Sequence, residues 1–201
     1  MRVISGIYRS RKLRTLRGLA LRPSSDRLRE TLFNILGPAV EDAMFVDLFA
    51  GSGAVGIEAL SRGARRAIFV ENHPAGIALI RGNLASLGIA LAGANDSPRN
   101  KAFAGTAEIL SQDASAALER LSTRRIKADF VFADPPYANS DAYGEVLDLL
   151  GESELLAADG RLILEHDHRR ILPAIAGQLE RTRVVEQGDS VLSFYHLALA
   201  A

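Results

Sequence analysis

The chain has 201 residues, 48% of them apolar and 24% charged, which suits one globular domain with a sizeable core. No apolar run approaches the ~20 residues of a membrane-spanning helix, and no apolar segment follows the basic N-terminus as in a signal peptide, so a cytoplasmic protein without membrane contact is expected. The absence of cysteine excludes disulfides, thiolate metal sites and a cysteine nucleophile.

A formal charge of zero hides an asymmetry. Residues 1–30 carry nine Lys/Arg against Asp26 and Glu30, and the remainder is acidic by the same margin. A basic arm on an acidic body is a footprint of nucleic-acid contact. Candidate phosphate-binding residues are Arg2, Arg9, Arg11, Lys12, Arg14, Arg22 and Arg27. Charged residues alternate with Val3, Ile4, Ile7, Tyr8 and Leu13, so a folded arm is expected over 1–22, a hairpin or extended β arm punctuated by Gly6 and Gly18. One domain is expected over 23–201.

Arg22-Pro23-Ser24-Ser25 ends the extended run and offers two capping hydroxyls to a helix with Leu28, Leu32, Phe33 and Leu36 on one face, closed by Gly37-Pro38. Strands and helices then alternate: strand Met44–Phe49, helix Ala54–Arg62, strand Ala67–Val70 and helix Pro74–Leu87. Residues 91–104, rich in Gly, Ala, Asn, Asp, Ser and Pro taken together, read as a flexible loop. Strand Ala107–Ser111, helix Ala114–Leu121, strand Phe130–Ala133 and helix Tyr143–Leu150 follow, then strand Gly160–Glu165 and a helix over Ile171–Leu179. Arg181–Glu186 and Val191–Leu199 read as a closing antiparallel pair. Five strands in βαβ rhythm plus that pair predict a mainly parallel, seven-stranded sheet with helices on both faces.

Asp47-Leu48-Phe49-Ala50-Gly51-Ser52-Gly53-Ala54-Val55-Gly56 spans the first strand-to-helix turn, where backbone and a helix N-terminus can approach a ligand. Gly51, Gly53 and Gly56 satisfy G-x-G-x-x-G, and Glu71, twenty residues on, is placed for ribose hydroxyls. NAD or another adenosine-bearing cofactor would satisfy both features. Asp47 favours a cationic ligand over a diphosphate, and Asp113 ends the third strand where an adenine amino group could donate. The fourth strand ends in Asp134-Pro135-Pro136-Tyr137. Proline holds its own φ and keeps the residue before it extended, so a carboxylate and rigid carbonyls face outward beside an aromatic ring. That set suits a planar molecule carrying an amino group.

Asp47–Gly56, Glu71, Asp113 and Asp134–Tyr137 resemble the landmarks of class I, Rossmann-like S-adenosylmethionine-dependent methyltransferases that act on exocyclic amines. The Arg2–Arg14 arm, Arg22-Pro-Ser-Ser-Asp-Arg-Leu-Arg-Glu-Thr-Leu-Phe and Gly188-Asp-Ser-Val-Leu-Ser-Phe-Tyr195 narrow the likeness to the ribosomal RNA small subunit methyltransferase D family. The resemblance runs from residue 2 to about 199, with 91–104 as an insertion. It implies methylation of N2 of a guanine in 16S rRNA (position 966 in the family name), S-adenosylmethionine as cofactor, 16S rRNA or the small ribosomal subunit as partner, and a monomer by default. It implies catalytic roles for Asp134, Pro135, Pro136 and Tyr137. Cofactor contacts are implied for Asp47, Ala50, Gly51, Ser52, Gly53, Gly56, Glu71, Asn72, Asp113, Ala114 and Asp134, and closure over the site for Arg22–Ser25.

An adenine-N6 DNA methyltransferase shares the acid-Pro-Pro-aromatic signature, but the chain is short for a separate DNA-reading domain. An NAD-linked oxidoreductase would use the glycines and leave Asp47 and Asp134–Tyr137 unexplained; an RNA-binding module would need only the arm. Glu165-His166-Asp167-His168 lacks a third ligand at a metal-site spacing, so no metal is expected. Ser52 lacks a nucleophile-elbow context, and Tyr143, Phe194 and Tyr195 read as core or groove-lining residues.

Overall fold

A computed structural model describes residues 1–15, 26–92, 105–136 and 141–198. Arg22, Tyr137 and nearly all of the predicted 91–104 loop lie outside these residues. The elements are α1 (Asp26–Leu36), a short 3-10 turn (Gly37–Val40), β1 (Met44–Leu48), α2 (Ala54–Ser61), β2 (Arg66–Val70), α3 (Pro74–Leu87), β3 (Thr106–Leu110), α4 (Ala114–Thr123), β4 (Ala128–Ala133), α5 (Ala142–Glu152), β5 (Leu156–Asp167), β6 (Ile175–Ala176), β7 (Leu179–Gln187) and β8 (Ser190–Leu197).

They build one eight-stranded sheet in the order β3-β2-β1-β4-β5-β8-β7-β6. Strands β1 to β5 are parallel, and β8 runs antiparallel between β5 and β7. The crossover order reverses between β1 and β4, which opens a crevice at the carboxyl ends of those strands. Both faces of the central strands are covered, so β1 and β4 are almost continuously buried. Alternate residues serve opposite layers. Val46, Leu48, Val131, Ala133, Leu162 and Leu164 pack on α4 and α5. Phe45, Phe130, Phe132 and Ile163 pack on α1 and α2. There the Phe33 and Phe45 rings stack at 5.9 Å between centroids and Phe45 meets Phe130 at 6.1 Å; burying each ring contributes about 1.5–3 kcal/mol.

The sequence pattern was wrong at the end of the sheet. Ile171–Leu179 is not a helix: it holds β6, a turn at Gly177 and the first residue of β7. Gly177 takes φ +55°, and Ile171 is 94% exposed, so the apolar spacing that suggests a helix serves no buried face. The added strand makes eight where seven were expected.

Residues 1–15 are folded onto the body, and their one β feature is an isolated antiparallel bridge between Arg2 and Lys12. Val3 and Leu13 are buried against α2 and α3. Buried Glu58 on α2 accepts from the backbone N–H of Ile4 (2.7 Å) and Ser5 (3.0 Å), and the Ser61 hydroxyl donates to the Ser5 carbonyl and accepts from Tyr8 N–H. Arg62 balances Glu58 at 2.8 Å. A buried carboxylate is tolerable because every one of these partners is present. Among the described residues no helix is long and apolar enough to cross a membrane.

Candidate active site

The crevice is lined by strand ends that carry acids, as the sequence suggested. Asp47 is buried on β1 and its Oδ2 accepts from Gly56 N–H at 2.9 Å, tying the strand to the first turn of α2. Gly56 lets that turn press on Phe69 of β2, whose ring would collide with any side chain there. Burial raises the Asp47 carboxyl to about 7; the Gly56 hydrogen bond opposes this and the charge of Glu71 adds to it. Phe49 sits at φ +61°, uncommon for a bulky residue, in the backbone reversal ahead of the glycines. Such outliers concentrate at ligand-facing turns.

Glu71 spans the gap between β2 and the glycine loop. Its Oε2 accepts from Gly51 N–H and its Oε1 from His73 N–H, both at 2.8 Å. Gly76 in α3 makes room for it, since a Cβ there would lie 2.8 Å from Glu71 Cδ. Asp113 caps α4, with Oδ1 accepting from Ala116 N–H at 2.8 Å and buried Ala114 behind it. Ala50 is buried, Ser52 partly so, and Asn72 exposed. The loop therefore offers an open face at Gly51, a carboxylate on each side and a helix N-terminus. That donor set fits an adenosine carrying a cationic amino-acid tail and disfavours a diphosphate.

Asp134 follows β4 on the same face as Asp47 and keeps a partly open side. It accepts no hydrogen bond among the described residues, and burial, then Glu165, then Asp47 push its pKa well above the usual carboxylate range. Pro135 is buried and Pro136 exposed. The Tyr143 hydroxyl lies 3.4 Å from the Pro135 carbonyl and 3.2 Å from the Glu165 carbonyl, so one buried group bridges the ends of β4 and β5. A carbonyl has two lone pairs, and Tyr143 uses one on Pro135.

Of the basic residues, Arg2, Arg9, Arg11, Lys12, Arg14 and Arg27 are exposed. Arg2 and Lys12 lie directly opposite in their bridge and share a face. Two of the set also serve the fold: Arg11 Nη2 donates to the Ser86 carbonyl at 2.9 Å, and Arg2 lies 3.7 Å from Asp26.

Sequence reasoning missed Asn83. It is 1% exposed; its Oδ1 accepts from Arg14 N–H at 2.8 Å, and its Nδ2 donates to the carbonyls of Arg14 (3.1 Å) and Ser52 (2.9 Å). One amide thus joins the arm, α3 and the glycine loop. Its signal was present, since Ile80, Asn83, Leu84 and Leu87 form a helical stripe with one polar member. Glu165 was considered only as a metal ligand. Glu165 and His166 point to opposite faces of β5, His166 toward Ser193 with Nε2 2.9 Å from its hydroxyl, so the two do not converge. Burial lowers the His166 pKa.

A parallel sheet with this strand reversal, a glycine turn between acid-bearing strands and an acid-Pro-Pro end to β4 define a methyltransferase of the Rossmann-like α/β class. The family model described as Conserved hypothetical protein 95 matches residues 1–196. Ribosomal RNA small subunit methyltransferase D of Escherichia coli (strain K12) is 35% identical over 189 residues, 93% of this chain and 86% of its own. The protein of that name from Haemophilus influenzae is 33% identical over 165 residues, 82% and 78%. The solved structure of yhhF from Escherichia coli superposes with a TM-score of 0.78 at 32% identity, covering 100% of this chain and 99% of that one. The protein belongs to the ribosomal RNA small subunit methyltransferase D family. The fold, though not the residues, extends to SMU.776, a chain solved in complex with SAH, at a TM-score of 0.61 and 15% identity over 84% of this chain and 48% of that one.

Proposed function

We propose that the protein uses S-adenosylmethionine to methylate the N2 amine of a guanine in small-subunit ribosomal RNA, guanine 966 by family likeness, acting on a base turned out of its stack. The single observation that carries this reading is Asp134: a largely desolvated carboxylate beside the cofactor turn, with no hydrogen-bond donor among the described residues. An acceptor in that state calls for a ligand that brings N–H groups.

Asp47, Gly51, Gly53, Gly56 and Glu71 would hold the cofactor, with Ala50, Ser52, Asn72, Asp113 and Ala114 around it. When bound, S-adenosylmethionine supplies an electrophilic methyl group on a sulfonium whose departure leaves a neutral thioether. Guanine N2 is a poor nucleophile because its lone pair is delocalised into the ring. Asp134 and the remaining lone pair of the Pro135 carbonyl accept its two N–H bonds and let the nitrogen pyramidalise. As the N–C bond forms, positive charge grows on nitrogen, and the ionised Asp134 stabilises it more in the transition state than before. A proton then leaves the nitrogen, and the raised pKa of Asp134 suits it to receive that proton. Tyr137 would stack on the turned-out base, and the exposed arm arginines would grip flanking phosphates.

The test offers labelled S-adenosylmethionine with 16S rRNA, assembled small subunits and duplex DNA, then digests the product to nucleosides. N2-methylguanosine from an RNA substrate is expected. N6-methyladenosine, or labelled DNA alone, would overturn the reading.

A further inference from the structure

Two stretches far apart in the chain carry no acid. Residues 1–15 hold Arg2, Arg9, Arg11, Lys12 and Arg14 with no Asp or Glu, and residues 74–92 hold Arg81 as their one charged residue. Exposed surface ordinarily intersperses charges of both signs, and α3 does not. The fold lays the first stretch on the second, since Val3 and Leu13 share a core with Ile80, Leu84 and Leu87. Docking thereby joins the cations of the arm to Arg81.

Two arm arginines reach α3 at defined points. Asn83 clasps the backbone of Arg14, accepting from its N–H at 2.8 Å and donating to its carbonyl at 3.1 Å. The Arg14 side chain then lies against Gly82, where Nη1 would sit 3.9 Å from a Cβ, next to exposed Arg81. Arg11 Nη2 donates to the Ser86 carbonyl at 2.9 Å. Gly82 and Ser86 are four residues apart on the helix, roughly 6 Å along its axis, a step close to that between successive phosphates of one nucleic-acid strand. Among the described residues, Arg11, Arg14 and Arg81 have no carboxylate within ion-pair distance, whereas Arg2 lies near Asp26 and Arg62 holds Glu58. Guanidinium groups gathered without a counter-charge repel one another. A phosphate placed between them removes that repulsion, and its oxygens match the guanidinium fork.

We propose that the RNA backbone runs along α3, with Arg14 and Arg81 holding one phosphate and Arg11 an adjacent one. Arg81, which lies outside the basic arm, thus becomes an RNA contact. This rests on the RNA reading above and deepens it by giving the strand a path. Because α3 begins three residues after Glu71, that path passes the cofactor side of the crevice.

The test measures filter binding of labelled 16S rRNA to the full-length protein across a range of potassium chloride concentrations. Arg81→Ala is expected to weaken affinity about tenfold and to flatten the slope of log affinity against log salt by about one unit, with affinity for S-adenosylhomocysteine unchanged. Two residues on one phosphate are not independent, so the double variant R14A/R81A should lose less than the sum of the single losses. Lys127→Ala, at the opposite edge where β4 begins, should leave affinity and slope as they were. Wild-type affinity and slope in R81A, or equal flattening in K127A, would rule out the path over α3, and additive losses in the double variant would rule out the shared phosphate. A parallel loss of S-adenosylhomocysteine affinity in R81A would assign Arg81 to the cofactor turn instead. A wild-type protein with no salt-dependent affinity for RNA is a different result, which removes the RNA reading itself.

Discussion

At the ends of β1, β2 and β3 the carboxylates already hold backbone N–H groups of their own loops: Asp47 that of Gly56, Glu71 those of Gly51 and His73, and Asp113 that of Ala116. At the end of β4, Asp134 holds none among the described residues and lies beside the buried Glu165. The first half of the edge is preorganised by its own fold, and its acids shape a turn as much as they meet a ligand. In the second half, Asp134 meets no hydrogen-bond donor among the described residues, and burial raises its pKa. On the proposed function, one strand edge serves two tasks: the first half holds the cofactor and the second receives the amine.

The sharpest way to break this contrast is Asp134→Ala. Methyl transfer should fall by at least about 1,000-fold while calorimetric cofactor affinity changes little, because the lost interaction belongs to the transition state. Loss of both together would move Asp134 into the cofactor half. On the proposed mechanism the ionised form is the active one, so kcat should rise with pH through an Asp134 pKa lying above the usual carboxylate range.

Asp47→Asn should separate stability from binding. The native Asp47 pKa of about 7 exceeds the unfolded value of 3.8, so the folded state holds the proton more tightly between them. Stability from this group is therefore present below about pH 4, falls as pH rises toward 7 and is level above it. Denaturant midpoints at pH 8 should be higher for the D47N variant than for the wild type, with the slope between pH 4 and 7 reduced. Cofactor affinity should drop about tenfold for loss of the charge on a cationic ligand. Binding of cofactor to the wild type near pH 7 should release protons, seen as a dependence of the calorimetric heat on buffer.

Asn83→Ala tests whether the arm and the glycine loop are coupled. It leaves Arg14 N–H and the Ser52 carbonyl without their partner, at about 1–3 kcal/mol of stability. The cofactor KM should rise more than kcat falls; equal effects on both would mean a structural role alone. The smallest effect is expected from Arg9→Ala, an exposed residue outside the cofactor half. RNA affinity should weaken modestly and the slope of log affinity against log salt should flatten by about one unit.

The apolar runs of β1 to β4 and their acid ends were legible because a parallel strand buried on both faces has little freedom in composition. The glycine turn was legible because its backbone demands glycine. The helix expected over Ile171–Leu179 failed because a short apolar spacing carries no information about which face will be covered, and β7 offered a strand partner instead. Asn83 and Glu58 could have been flagged as polar residues in buried helical stripes, but their partners in the arm lie 69 and 53 residues or more away.

By itself the sequence determined the fold class, the acid at each strand end, the basic arm and the family, since each is a property of local pattern or of residue identity at fixed spacing. Tertiary structure alone decided which acids are engaged by their own loops and which confront one another. Only the parallel register brings Glu165 to Asp134, and only the docking of the arm turns Asn83 into a joint. Hydrogen-bond satisfaction and mutual charge depend on neighbours distant in the chain, so no window of sequence contains them.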